Sequence, residues 1–118
     1  MITLPIKKDS DYLNINNRFL AETWAVEQKK MLNRIYESYR KAPYFIECFD
    51  VVEKCISFED RNLFNFVFNS IQLVMKYLNI DTKLIVSSSV PIDHQLKSVE
   101  KVIALCMERG ANVYINPI

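Results

Sequence analysis

Apolar positions change their period several times along the chain, and each change marks an element. Residues 2–6, Ile-Thr-Leu-Pro-Ile, alternate as a strand does, and Pro5, which has no amide proton, confines that strand to an edge. A polar turn, 7–11, leads to Tyr12-Leu13-Asn14-Ile15, a second short strand expected to pair with the first. From Trp24 the period lengthens. Trp24, Met31, Leu32, Ile35, Tyr36 and Tyr39 recur at three- and four-residue spacings, predicting a helix over 24–41 capped by Thr23 and stopped by Pro43. Pro43 suits the first turn of a second helix, in which Phe45, Cys48, Phe49, Val52 and Ile56 keep the helical period. Ser57-Phe58-Glu59-Asp60 has the form of a capping box with Asp in place of Glu. The helix after it runs from Leu63 to Leu78 and is apolar around most of its circumference, which predicts neighbours on more than one side.

The last third reads as strand, helix, strand. Thr82-Lys83-Leu84-Ile85-Val86 is rich in β-branched residues and is ended by Ser87-Ser88-Ser89 and Pro91. Ser98 is placed to cap a helix whose Val99, Val102, Ile103 and Cys106 share one face, and Gly110 sits where a left-handed terminator belongs. Val113-Tyr114-Ile115 follows as a strand ended by Pro117. The expected fold class is therefore α/β, with several helices packed on a small mixed sheet that contains a parallel βαβ unit at residues 82–116. The whole of 1–118 is expected to form one such domain.

Composition narrows this picture. Half the residues are apolar and a quarter charged, enough to fold around a core. A formal charge of +1 argues against strong field-driven capture of nucleic acid or acidic lipid, and no uninterrupted apolar run approaches the ~20 residues of a membrane span. Three cysteines without a regular framework fit a reducing compartment, so the expected location is cytoplasmic. There is one glycine, Gly110, where an average domain of this length has about eight. Phosphate-cradling glycine loops are thereby excluded, and turns needing positive φ fall to Asn, Asp or Ser, with Asn14, Asn16 and Asn17 suited to the task.

Candidate chemistry is sparse. The single histidine, His94, cannot make a zinc site alone, and Cys48 and Cys55 lack metal-ligand spacing. Cys106 reads as a small core hydrophobe. Between residues 29 and 41 five basic residues face one acidic one, which a solvated helix face explains as well as nucleic acid does. The aromatics of Lys41-Ala42-Pro43-Tyr44-Phe45 are expected to lock a helix corner. The better candidate is geometric: ligands of parallel βαβ units sit beyond the carboxyl ends of the strands. That rim would gather Ser87, Ser88, Ser89, His94, Lys97 and Ser98, with hydroxyls and a cation for an anionic group and His94 for proton transfer. Lys7 and Lys8, directly after the first strand, either reach the same rim or discourage edge-to-edge association. The same serines also serve simply to end a strand and cap a helix.

Several stretches together resemble the WbqC-like bacterial proteins: Leu4-Pro5-Ile6-Lys7-Lys8, Tyr39-Arg40-Lys41-Ala42-Pro43-Tyr44-Phe45, Ser87-Ser88, Lys97 through Cys106, Gly110-Ala111 and Tyr114. The resemblance implies a role in surface-polysaccharide (O-antigen) or modified-sugar biosynthesis, including transfer of an activated sugar. It also implies a chain incomplete at both ends relative to the family, with a further strand before it and a glycine-rich segment after Tyr114. Lys7, Lys8, Ser87, Ser88 and Lys97 match the family's pattern, whereas Ser98 and Val99 stand where the family usually has Gly followed by Thr or Ser. On this reading Lys7, Lys8 and Lys97 hold phosphate, Ser87 and Ser88 orient the substrate, Ser98 lines the site and His94 is the acid/base. The partner is then a sugar nucleotide or another phosphorylated small molecule; nucleic acid and membrane insertion are not expected. The alternative is a non-catalytic scaffold that recruits a second copy or another protein through an exposed sheet edge.

Overall fold

A computed structural model describes residues 3–115 and divides the chain into two compact units, Met1–Asp81 and Thr82–Ile118. The first unit carries three helices: α1, Trp24–Tyr39; α2, Phe45–Ile56; and α3, Leu63–Tyr77. The second carries α4, Ser98–Glu108. Among the described residues there are no strands, so the expected α/β sheet with a parallel βαβ unit at 82–116 is overturned. Residues 82–86 and 113–115 form no strand, and residue 116 lies outside the described set. β-Propensity measures how well a side chain suits a pleated surface; it does not supply the neighbouring backbone that a ladder requires.

The amino-terminal hairpin also fails to form as expected. Ile6 bridges Leu20, Phe19 bridges Asn62, and residues 1–2 lie outside the described set. Around these bridges Lys7 N donates to Phe19 O (2.9 Å), Ala21 N to Pro5 O (2.9 Å), Leu20 N to Arg61 O (2.8 Å) and Leu63 N to Arg18 O (2.8 Å). The segment at 18–21 is thus held from both sides. Residues 12–15 cannot join it because their stretch turns on itself. Leu13 N donates to Ser10 O, a 3-10 turn spans Ile15–Asn17, and the Arg18 guanidinium binds Ser10 O and Asp11 O at 3.3 and 3.2 Å.

That arrangement delivers Leu20 to the core. Leu20, Trp24 and Phe66 are buried, with Leu4, Met31, Ile56, Phe58 and Leu63 packed against them. The Trp24 and Phe66 rings meet edge-on, centroids 5.5 Å apart, an arrangement that aligns positive ring edge with negative face. Trp24 Nε1 is buried without a hydrogen-bond partner among the described residues. Gln28 Nε2 donates to Ile56 O at 2.7 Å and fastens α1 to the end of α2. Between α2 and α3, the Cys55 thiol donates to Ser70 O (3.8 Å), and Cys48 Sγ lies 3.6 Å from the Tyr77 hydroxyl. Burial pushes the Cys55 thiol pKa up, and the Cys48 hydrogen bond does the same for Tyr77.

Helix ends show where local chemistry decided and where it did not. α1 stops before Pro43 as expected, although Thr23 lies in helical backbone and its side chain makes no cap bond. α2 begins two residues after Pro43, behind Tyr44. The cap of α3 is Asn62 rather than Ser57: its carbonyl oxygen accepts from Asn65 N (3.1 Å) and its amide donates to Asn16 O (2.7 Å). Asp60 braces the same turn. It accepts from Asn62 N and Asn65 Nδ2, bonds that pull its carboxyl below the usual range. Gly110 has φ 61° and terminates α4 as anticipated, with Gly110 N on Met107 O and Ala111 N on Cys106 O. The other left-handed residues are Tyr44, Asn79 and Ser98, not Asn14, Asn16 or Asn17.

Candidate functional site

The second unit contains five of the seven residues singled out as site candidates, in the loop that leads into α4. Ser87–Ser89 form a 3-10 turn in place of a strand end, and Ser89 closes it by donating both its amide and its hydroxyl to Val86 O (3.0 and 2.8 Å). Val90, 4 % exposed, fixes the loop immediately beyond the turn. Asp93 then accepts from Gln95 N at 2.9 Å, and Lys101 Nζ, one turn inside α4, reaches back to His94 O at 3.3 Å. The loop from Ser87 to Ser98 is therefore pinned at both ends and in its middle.

Ser87, Ser88, His94, Lys97 and Ser98 are all exposed. Lys97 is the N-cap of α4 in extended backbone, and its carbonyl accepts the first helical bond, from Lys101 N at 3.4 Å. Ser98 does not cap; it is the first helical residue, with φ 47°. That left-handed conformation suits glycine better than serine. Lys7 and Lys8 lie in the first unit, exposed, just beyond the Ile6 bridge. Among the described residues no strand rim assembles the seven, because no sheet forms there. What remains is a polar loop in one unit and a lysine pair in the other.

Beside that loop lies a feature the sequence did not announce. An open groove of about 630 Å3 runs along α4, starting at Ser98 and lined by Val99, Val102, Ile103, Cys106 and Tyr114 among others. Its size falls within the range of small-molecule sites. The face shared by Val99, Val102, Ile103 and Cys106 was expected to be core, but Val99 is 68 % and Ile103 52 % exposed, and Cys106 is half-buried. Periodicity found the stripe. It carries no information on whether anything covers it.

Among the described residues no three His, Cys, Asp or Glu side chains come together as metal ligands, and no helix is long and apolar enough to cross a membrane. The family model for WbqC-like proteins matches residues 1–118. The chain belongs to the WbqC-like protein family. That family is linked to polysaccharide biosynthesis. No curated protein and no solved structure matches the chain.

Proposed function

We propose that this WbqC-like protein acts in bacterial surface-polysaccharide or modified-sugar biosynthesis as a transferase for an activated sugar, held by the Ser87–Ser98 loop and the α4 groove. The observation that carries the reading is the junction at Ser98, where an exposed polar loop meets an apolar groove of about 630 Å3. A sugar nucleotide has the matching division: charged phosphate and hydroxylated sugar for the polar loop, and a flat heteroaromatic base for the apolar groove. In this arrangement Lys97 meets the phosphate, Ser87 and Ser88 orient the sugar hydroxyls, and His94 exchanges a proton with the reacting oxygen. The reading is confined to residues of the second unit. The family's link to polysaccharide biosynthesis supports the substrate class.

Titration with nucleotide-sugars, followed by backbone amide NMR, tests the proposal. Shifts centred on residues 87–98 and on the α4 face are expected, and Lys97→Ala should weaken binding about tenfold through loss of one charge-assisted phosphate contact. Shifts absent from that loop at saturating ligand would refute it. A scaffold reading draws on a different observation, the exposed apolar stripe formed by Val67, Ile71 and Val74 of α3 and its C-cap Leu78. Among the described residues there is no sheet edge, the surface first expected to recruit a partner.

A further inference from the structure

We propose that α3 pairs antiparallel with the α3 of a second copy of this chain, along the seam Phe64, Val67, Ile71, Val74 and Leu78. Their successive spacings of three, four, three and four residues are those of the a and d positions of a coiled coil. At 3.6 residues per turn the five fall within about 80° of arc. Phe66, which is in the core, lies about 120° away round the helix. α2 covers that inner side, where Ser70 O accepts from the Cys55 thiol and the Tyr77 hydroxyl meets Cys48 Sγ. The outer side is open: Val67, Ile71, Val74 and Leu78 are 42 to 55 % exposed, and Phe64 is half-buried. A helix apolar on two sides needs a neighbour on each.

Pattern, charge and area together select a second copy. The seam is symmetric about Ile71, with Val67 and Val74 on either side and Phe64 and Leu78 at its ends. A two-fold axis through Ile71 therefore sets Ile71 against its own mate, Val67 against Val74 and Phe64 against Leu78. That is the self-complementarity an isologous dimer requires. No side chain from Asn62 to Met75 is charged, so the pairing meets no like-charge repulsion. The same absence leaves an oppositely charged partner nothing to recognise. At their stated exposures the four open side chains present about 300 Å2 per copy, and half-buried Phe64, Phe68 and Met75 add about 100 Å2. Two copies would then bury about 800 Å2 of apolar surface. With the ~65 % apolar share of homodimer interfaces this becomes about 1,200 Å2 in all, enough for a specific but weak dimer. The seam is in the first unit and does not depend on the sugar-transfer reading.

Sedimentation equilibrium of the 118-residue chain, from about 5 to about 500 µM, tests the proposal. The weight-average mass should rise from 13.9 kDa toward twice that value, with a dissociation constant on the order of 10–100 µM. An uncharged seam should make that constant nearly the same at low and high salt. Ile71→Glu and Ile71→Lys should each weaken self-association at least about tenfold, and an equimolar mixture of the two should restore it, because residue 71 faces its mate. Val67→Glu mixed with Val74→Lys should restore it too, since the antiparallel register brings those positions together. Gln72→Glu, off the seam, should associate like the parent. Trp24 emission, unchanged, shows that each variant keeps its core; Ile71→Ala, the mildest change, should weaken association without altering it. A mass that stays at 13.9 kDa throughout, Ile71→Glu and Ile71→Ala variants that associate like the parent, or mixtures that remain monomeric would overturn the proposal.

Discussion

Phe66 is the side chain on which the first unit depends most, and Phe66→Ala should nearly unfold it. The ring is 5 % exposed, meets Trp24 edge-on at 5.5 Å and lies 6.5 Å from the Phe58 ring. A buried phenyl group removes about 200 Å2 of surface from water, which at ~25 cal/mol per Å2 sets an upper limit near 5 kcal/mol. Measured Phe→Ala costs in cores run about 3–5 kcal/mol, including the cavity left behind. A unit of this size has a total stability of roughly 4–12 kcal/mol, so the loss consumes much of it. Phe66→Leu keeps most of the volume and should cost only about 1–2 kcal/mol, chiefly the edge-to-face contact and imperfect filling. Trp24 is the single tryptophan and is 3 % exposed, so its emission reports this core directly. Urea unfolding followed by that emission should show midpoints ordered wild type, Phe66→Leu, Phe66→Ala, with wild-type emission blue-shifted and shielded from iodide. A Phe66→Ala cost below about 1 kcal/mol, or wild-type emission of a solvated indole, would refute this account of the core.

Asn62 has two jobs, and its variants should separate them. Asn62→Asp keeps the acceptor for Asn65 N but loses the donor to Asn16 O, so its urea midpoint should fall between wild type and Asn62→Ala, which should cost about 1–2 kcal/mol. Ser98→Gly relieves a left-handed serine and should stabilise α4 by about 1 kcal/mol, read as slower hydrogen exchange of the α4 amides; faster exchange would contradict the φ of 47°. The lowered Asp60 pKa has a definite sign: the unfolded chain takes up the proton first. Its contribution is present above the ordinary carboxylate pKa and is lost as pH falls through the folded value, so Asp60→Ala should flatten the acid limb of a stability–pH curve.

The sequence by itself determined the four helices, because helical hydrogen bonds close within a few residues and a three-to-four apolar period is enough to reveal them. It determined the stop at Pro43 and the left-handed terminator at Gly110 for the same reason: each is a property of one residue's backbone. Tertiary structure decided everything that needs a distant partner. Residues 82–86 and 113–115 have strand-like side chains, yet a strand exists only when another backbone pairs with it, and none does among the described residues. The α3 cap moved from Ser57 to Asn62 because Asn16, 46 residues earlier, offers Asn62 a carbonyl. Leu20 became core because hydrogen bonds donated by Ala21 N and Leu20 N to the carbonyls of Pro5 and Arg61 hold its segment in place, whereas the equally patterned Val99 and Ile103 were left open to solvent. The site divides along the same line. Ser87, Ser88, His94, Lys97 and Ser98 were legible as one polar stretch, but the rim meant to join them to Lys7 and Lys8 depended on a sheet, and the groove beside them on what α4 leaves uncovered. Local periodicity states which face of an element is apolar; only long-range packing states whether that face is buried.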